Sequence, residues 1–310
     1  MSQTDDADPA VLVEHTGHVC VLTINRPDAR NAINTAVTDA LGLALQAADD
    51  DPEVRVIVLT GSGHQSFCAG ADLKALSRGE NIGPSDPERQ KWGFAGVVSH
   101  PVCTPVIAAV NGTALGGGTE LVLSADLAVA AESASFGLPE VKRGLFAAAG
   151  GAFRIVDAVP KKVAMELLLT GRPITAAKAK EYGLINDVVP DGTVVDAALA
   201  LAERITVNAP LAVQASKRVA AGVDDGTITA DEIGWTRTMR EIGALMRSVD
   251  DAYAAAMAKL RVSSWPARST TKRAVRSPSV LPAPTRTCPT ARSCTSWIAS
   301  AGQASATWGL

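Results

Sequence analysis

Short apolar runs and amphipathic stretches alternate along the first half of the chain. Residues 11–24 (VLVEHTGHVCVLTI) form two runs rich in β-branched residues joined at Thr16-Gly17, a pattern typical of a hairpin. After Asn34 the apolar residues recur at the spacing of one helix face as far as Ala48, and residues 54–60 (VRVIVLT) have the pattern of a buried strand. This order predicts two strands, a helix and a third strand.

A looser version of the same order follows. Residues 104–110 (TPVIAAV) predict a strand, Asn111-Gly112 a turn, residues 119–126 (TELVLSAD) a helix and residues 127–133 (LAVAAES) another strand. Strands that alternate with helices are typical of helices packed on a parallel sheet. The pattern therefore predicts a layered α/β fold.

From about residue 161 the pattern becomes mostly helical. Residues 161–171 and 175–183 each predict a helix closed by a glycine, and residues 194–209 predict a longer helix. Beyond about Leu260 the chain is rich in Ser, Thr, Arg, Pro and Ala, and no periodicity there would bury a face. Three parts are therefore predicted: a core over residues 1–200, a helical region over residues 201–260 and an atypical basic tail over residues 261–310.

Composition places the chain among ordinary globular proteins, with 47% apolar and 20% charged residues. The acidic N-terminus (MSQTDDADPA) has no signal-peptide pattern, and no apolar run approaches the roughly 20 residues that cross a bilayer. These features predict a cytoplasmic protein that does not bind membranes. The five cysteines form no CxxC pair and have no His partners at zinc spacing, so neither a metal site nor a disulfide framework is predicted.

Charge is distributed unevenly along the chain. The residues after Asp251 hold eight bases and no acid, which leaves 21 bases against 32 acids, a net charge of −11, in residues 1–251. An acidic body argues against nucleic acid as the ligand. The acid-free tail is typical of a shifted reading frame in GC-rich coding sequence, a hypothesis that the gene's other reading frames would test. A basic arm for nucleic acid or anionic lipid is the alternative interpretation.

Three consecutive glycines stand just before a glutamate in residues 111–126 (NGTALGGGTELVLSAD). A glycine run at a helix start exposes N–H groups that the helix leaves unpaired, and such groups bind a phosphate or a developing oxyanion. A phosphate loop is disfavoured, because no GxxxxGK[ST] motif occurs and Leu121 stands where GxGxxG needs its third glycine. Close packing of helix on strand is the alternative role of these glycines.

A second loop of small residues follows the predicted strand 54–60. Residues 61–76 (GSGHQSFCAGADLKAL) pass through residues 69–71 into a short helix that Asp72 can cap. Two such loops, at the ends of neighbouring strands, could direct two N–H donors at one oxygen atom.

Four segments, taken in order, resemble successive motifs of the crotonase, or enoyl-CoA hydratase, superfamily. They are NRPDARNAIN (25–34), FCAGADLK (67–74), NGTALGGGTELVLSADLAVAAESASFGLPEVKRGL (111–145) and LLLTGRPITAAKAKEYGLINDVV (167–189). The resemblance covers about residues 10–251. It implies a crotonase-like spiral of ββα units, a C-terminal helical trimerisation region, and assembly as a homotrimer or a dimer of trimers.

The resemblance also implies an oxyanion hole and two acids. The N–H groups of Ala71 and Gly117 match the donors that bind the carbonyl of a coenzyme A thioester, and Glu120 and Glu140 match the two glutamates of true hydratases. Because the first turn of a helix favours a carboxylate, we assign Glu120 as the base that activates water and Glu140 as the acid that protonates the α-carbon. The alternatives are a partly exposed helix residue for Glu120 and a surface turn for Glu140.

Six further residues are predicted to contact the substrate: Ala69, Asp72, Leu73, Lys74, Gly116 and Arg26. Three of them have structural alternatives. Asp72 can serve as a helix cap, Lys74 as a solvated helix residue, and Arg26 as part of a structural loop.

The implied activity is the addition of water to a trans-2-enoyl-CoA, which gives a 3-hydroxyacyl-CoA. No metal or redox cofactor is implied, since coenzyme A is part of the substrate. The alternatives are an enoyl-CoA isomerase or another crotonase reaction on a bulky acyl-CoA, and a catalytically silent acyl-CoA-binding protein. Acyl chain length and pathway stay open, and a serine hydrolase is disfavoured because no GxSxG motif occurs.

Overall fold

The computed structural model describes residues 8–221, and the structural statements below concern this part of the chain. The chain divides into two units, Met1–Ala258 and Lys259–Leu310, and the described residues all belong to the first. The predicted basic tail and the end of the predicted helical region lie outside the described residues. The three predicted domain boundaries therefore stay predictions.

A six-stranded sheet forms the centre of the fold, in the order β1-β2-β3-β5-β7-β10. The first two strands form the predicted antiparallel hairpin, with Val11 opposite Ile24 and Thr16 opposite Val19, and the other neighbours pair in parallel. The strands are β1 Val11–Thr16, β2 Val19–Ile24, β3 Val56–Gly61, β5 Val106–Val110, β7 Leu127–Ala131 and β10 Asp187–Val189.

A second, four-stranded sheet has the order β4-β6-β8-β9. Its strands are β4 Ser66–Cys68, β6 Thr113–Leu115, β8 Ser135–Gly137 and β9 Ile174–Thr175. The sequence pattern did not predict this sheet, because segments of two or three residues are too short to show alternation.

Three successive stretches of chain each send one strand to the large sheet and the next strand to the small sheet. The pairs are β3 with β4, β5 with β6, and β7 with β8, and members of successive pairs are parallel neighbours in both sheets. The first two pairs are followed directly by a helix. This arrangement confirms the expected spiral of ββα units.

Eight α-helices accompany the two sheets in residues 8–221. They are α1 Thr35–Asp50, α2 Leu73–Ser77, α3 Gly117–Ser124, α4 Gly151–Ala158, α5 Lys161–Thr170, α6 Ala176–Glu181, α7 Val194–Thr206 and α8 Pro210–Ala220. The predicted helices after Asn34 and from residue 161 onward are therefore present. Asn34 caps α1, since its side chain accepts a hydrogen bond from Val37 N–H at 3.0 Å.

Two apolar clusters hold the sheets and helices together. The larger one lies between the large sheet, the small sheet and helices α1, α3, α4 and α5, with Phe67, Phe136 and Leu121 fully buried. The smaller one covers the other face of the large sheet, where Ala198 and Ala202 of α7 pack against strand residues such as Val58. Both faces of the central strands are thus buried, which explains their nearly continuous apolar sequences.

Within residues 8–221, no helix combines the length and the apolar character that crossing a bilayer requires.

Candidate active site

The two glycine-containing loops predicted to carry the site lie against each other. Gly70 follows β4 and has a positive φ of +86°, a conformation that suits glycine. A Cβ atom at Gly70 would lie 2.9 Å from the Leu115 carbonyl oxygen and 3.0 Å from the Gly117 nitrogen. A side chain at Gly70 would therefore push the two loops apart.

Each glycine of the run 116–118 has a steric reason of its own. Gly116 precedes α3 with a φ of +56°, and a Cβ atom at Gly117 would overlap the ring of Phe94. A Cβ atom at Gly118 would overlap the carbonyl oxygen of Cys68 in β4. The run thus lets the start of α3 pack directly on the backbone of the loop after β4.

The backbone hydrogen bonds of their own segments leave the N–H groups of Ala71 and Gly117 without an acceptor. Ile33 pairs with both neighbours of Ala71: its N–H donates to Gly70 O at 2.8 Å, and its carbonyl accepts from Asp72 N–H at 2.9 Å. Since successive peptide groups of extended backbone point to opposite sides, the Ala71 N–H points away from Ile33. Gly117 is the first residue of α3, and a helix gives its first N–H groups no internal partner.

Glu120 is deeply buried in the first turn of α3, with only 3% of its surface exposed. Its Oε1 accepts a hydrogen bond from Gly151 N–H at 2.9 Å. Burial raises the pKa of Glu120 to about 7, although the N–H groups of Gly151 and Ala149 and the charge of Arg154 favour the carboxylate. Desolvation therefore outweighs the stabilisation of the carboxylate that the helix start provides.

Glu140 approaches the same glycine run from the other side. It lies in a 3₁₀ helix, Pro139–Arg143, that follows β8. A Cβ atom at Gly116 would lie 3.2 Å from Glu140 Oε1, while Oε2 is buried and has no hydrogen-bond partner among the described residues. Burial raises the pKa of Glu140 as well, against the effect of its own peptide N–H.

The two carboxyl groups influence each other. A negative charge on Glu140 raises the pKa of Glu120 further, an effect added to that of burial. Two buried carboxyl groups that repel each other favour a state with one proton between them, in which one is an acid and the other a base. This state suits a reaction that removes one proton and delivers another.

Arg26 and Asp72 form an ion pair with each other. Both terminal nitrogens of Arg26 lie 3.1 Å from Asp72 Oδ2, and its Nη1 also donates to Ala32 O at 2.6 Å. Asp72 caps α2 as predicted, with Oδ1 accepting from Lys74 N–H and Ala75 N–H. Burial acts to raise the pKa of Asp72, but the Ala75 N–H and Arg26 together hold it below its ordinary value. The structural alternatives for both residues thus have direct support.

The other predicted substrate contacts lie close in sequence to the loop of Gly70 and Ala71. Ala69 is half-buried just before Gly70, and its N–H donates to Arg30 O at 3.1 Å. Leu73 and Lys74 are exposed in the first turn of α2, and 44% of the Leu73 surface is accessible. Within residues 8–221, no three His, Cys, Asp or Glu side chains are grouped so that they could hold a metal ion.

Sequence reasoning missed three contributors to the site. Gly151 binds Glu120 through its backbone N–H group, which no side-chain pattern reveals. Phe94 packs on Gly117 from a segment in which Gly93, Ala95 and Gly96 all have positive φ angles, a signal that only the glycines hint at. Arg154, four residues after Gly150, could have been singled out as the one base in the sequence of α4.

A spiral of ββα units is the fold expected of the crotonase superfamily, and comparisons with known proteins agree. The sequence model of the family described as enoyl-CoA hydratase/isomerase matches residues 14–235. The chain belongs to the enoyl-CoA hydratase/isomerase family.

Individual relatives include both hydratases and dehydratases. The chain is 46% identical over 220 residues to enoyl-CoA hydratase EchA19 of Mycobacterium tuberculosis, covering 69% of this chain and 81% of that enzyme. It is 42% identical over 204 residues to carnitinyl-CoA dehydratase of Salmonella paratyphi A, covering 66% of this chain and 77% of the dehydratase. The crystal structure of carnitinyl-CoA hydratase from Mycobacterium avium is 62% identical, with a TM-score of 0.72 and coverage of 84% of this chain and 100% of that one.

Proposed function

We propose that the chain is a hydro-lyase that reversibly adds water to the double bond of a trans-2-enoyl-CoA and so forms a 3-hydroxyacyl-CoA. One observation carries the proposal: Glu120 and Glu140 both lie at the glycine run 116–118. The N–H groups of Ala71 and Gly117 lie at the same place and have no backbone acceptor among the described residues. The enoyl-CoA hydratases and carnitinyl-CoA dehydratases among the relatives support the same reaction type.

The N–H groups of Ala71 and Gly117 would bind the thioester carbonyl oxygen. Addition of hydroxide at the β-carbon moves negative charge onto this oxygen, so donors placed in advance stabilise the enolate more than the substrate. The contact between Gly70 and Gly117 keeps the two donor segments at close range.

Glu120 would act as the base for hydration. As a carboxylate it takes a proton from water while the oxygen of that water bonds to the β-carbon. A pKa of about 7 leaves a large fraction of Glu120 ionised at neutral pH and still basic enough to accept a proton. The N–H of Gly151 holds the carboxylate from one side.

Glu140 would supply the other proton. Burial raises its pKa above that of an ordinary glutamate, which favours the protonated form that would deliver a proton to the α-carbon of the enolate. Its buried Oε2 has no hydrogen-bond partner within residues 8–221. In the dehydration direction the two residues exchange roles, as reversibility requires.

A second candidate is the dehydration of carnitinyl-CoA, a 3-hydroxyacyl-CoA that carries a trimethylammonium group. The carnitinyl-CoA hydratase and dehydratase relatives favour it. The chemistry at the two glutamates would be the same, and the acyl end alone would differ.

A homotrimer or dimer of trimers in the cytoplasm, without metal or redox cofactor, is also part of our proposal.

The test is a panel of thioesters that share coenzyme A and differ in the acyl end. Short, medium and bulky trans-2-enoyl-CoA substrates and the trimethylammonium-bearing 2-enoyl-CoA are each mixed with the wild-type protein, and loss of the conjugated thioester absorbance is followed. We expect turnover on at least one of them, with the preferred substrate separating the two candidates.

Two other outcomes would contradict hydration. Movement of the double bond without incorporation of ¹⁸O from labelled water would indicate an isomerase. Binding of the thioesters without any change in them would indicate a catalytically silent binding protein.

The rate of hydration should depend on pH through Glu120. A base must be ionised, so kcat/KM should fall as the pH drops below about 7, the pKa to which burial raises Glu120. The profile would be measured from about pH 5 to pH 9, with stability checked across the range. A profile with no acid limb, or one with its midpoint near the pKa of about 4 of an ordinary glutamate, would contradict this role for Glu120.

A further inference from the structure

Arg154 is the one base of helix α4 and lies in its first turn, just after the Gly150-Gly151 pair. Its side chain is partly buried, and its guanidinium lies 5.0 Å from the ring of Phe153. A Cβ atom at Gly150 would overlap Arg154 Nη1, so the glycine at this position is what lets the guanidinium fold back over the start of α4.

The guanidinium reaches carbonyl groups in two different segments. Nη2 donates to Val98 O at 2.5 Å, and Nη1 donates to Ala149 O at 3.4 Å. The first contact is a short, charge-assisted hydrogen bond to a residue 56 positions away. Arg154 therefore joins two loops that are remote in sequence.

Each of these loops supports one half of the proposed site. The turn around Ala149 provides the Gly151 N–H that binds Glu120. The segment that ends at Val98 begins with Phe94, which packs on Gly117, and Val98 N–H donates back to Phe94 O at 3.2 Å. The Arg154 side chain thus connects the turn that binds the Glu120 carboxylate to the segment that packs against Gly117, the proposed oxyanion donor.

We propose that Arg154 is a positioning residue, whose guanidinium fixes the Ala149–Gly151 turn against the Phe94–Val98 segment and so holds Glu120 in place for proton transfer. The proton transfer in this proposal rests on the proposed function, whereas the contacts of Arg154 do not depend on it. Arg154 would act through Glu120 and Gly117 and would not touch the substrate.

Electrostatics adds a second effect to this geometry. Glu120 is faced by the negative charge of Glu140 from the 3₁₀ helix and by the positive charge of Arg154 from α4. Burial and Glu140 raise the pKa of Glu120, whereas Arg154 lowers it. Loss of the cation should therefore make Glu120 harder to ionise.

The experiment compares Arg154→Gln, which removes the charge, with Arg154→Lys, which keeps it but loses the planar fork. In Arg154→Gln we expect the acid limb of kcat/KM to move to higher pH and kcat to fall more than tenfold. In Arg154→Lys the limb should stay within a few tenths of a unit of wild type, while kcat still falls. Arg204→Gln, an exposed arginine of α7, is the matched control and should change neither quantity.

An acid limb that does not move in Arg154→Gln would overturn the proposal, since a purely structural role changes the rate but not the ionisation of Glu120. If Arg154→Gln fails to fold, the double variant Glu120→Gln, Arg154→Gln decides. It should fold, because the buried carboxylate that needs the cation is gone, and failure of the double variant would overturn the proposal.

Failure of the proposed function can be distinguished from failure of this inference. If the wild type hydrates no thioester on the panel, the pKa of Glu120 is measured directly by ¹³C NMR of glutamate-labelled protein, with the signal assigned through Glu120→Gln. A higher pKa in Arg154→Gln than in wild type supports the positioning role, and an equal pKa overturns it, whatever the reaction is.

Discussion

Glu120→Gln is expected to lower kcat/KM for hydration by about 10²–10⁴-fold, the range in which a general base contributes. Glutamine keeps the shape of the side chain and an oxygen that can accept the Gly151 N–H. It cannot take a proton from water. The loss should therefore fall on kcat, with KM changed little, because thioester binding depends on other groups.

Glu120→Gln should make the folded protein more stable although it lowers kcat/KM. This combination separates a catalytic role from a structural one, in which replacement would lower stability as well. The pKa of Glu120 is raised by folding, so the ionised form is disfavoured in the native state and costs stability as the pH rises through about 7. At pH 8, Glu120→Gln should therefore raise the unfolding temperature, whereas at pH 5 the difference should shrink. Thermal unfolding at both values tests this sign.

An exposed glutamate provides the control for Glu120→Gln. Glu166 lies on the surface of α5, and Glu166→Gln should leave both rate and stability near wild type. If Glu120→Gln retained more than about a tenth of wild-type activity, Glu120 would not be the base. Glu140, whose pKa burial also raises, would then be the next candidate for the base.

The sequence was most informative where one residue type had a single steric or chemical reason to be present. The glycines at 116–118 and the acid at 120 predicted a helix start with exposed backbone, and the structure places them there. The hairpin and the Asp72 cap followed from equally local rules. Each of these features depends on residues that are neighbours along the chain.

Features that depend on contacts between distant segments were not predictable in the same way. The strands of the small sheet are two or three residues long, so only the fold brings them together. The contacts of Arg154 with Val98 and of Phe94 with Gly117 also join remote positions. The rise in the pKa of Glu120 was not predictable for the same reason, since desolvation comes from the whole surrounding core rather than from the first turn of α3.

At the start of α3, the local helix propensity of the glycines conflicts with their packing against the distant strand β4. Glycine is a poor helix residue, and a run of glycines weakens a helix unless close packing requires it. Here the packing brings β4 close enough that Gly118 faces a backbone carbonyl group, and the same approach places Gly117 beside the loop of Ala71. The proposed oxyanion donors and the core packing therefore depend on the same absence of side chains.

Gly118→Ala is the second change for which we expect a large effect. Alanine is favoured over glycine inside a helix by about 1 kcal/mol, so propensity alone predicts a more stable protein. Against this, the new Cβ would overlap the Cys68 carbonyl oxygen and lie 2.9 Å from the Cys68 carbonyl carbon. Backbone atoms in a buried strand cannot move aside as a flexible side chain can. Overpacking should prevail and lower the free energy of unfolding by about 1–3 kcal/mol.

The same overlap should damage catalysis, because relief requires α3 and β4 to separate. That movement would pull Gly117 away from the loop of Gly70 and Ala71 and misplace an oxyanion donor, and loss of one such donor lowers kcat by about 10²–10³-fold. Denaturant unfolding and steady-state kinetics on the preferred thioester measure the two effects. Gly83→Ala is the control, since the nearest atom to its Cβ is a side-chain oxygen of Asn81 at 3.2 Å. A Gly118→Ala protein as stable and active as Gly83→Ala would show that the start of α3 tolerates a side chain and that the glycine run is not needed for close packing.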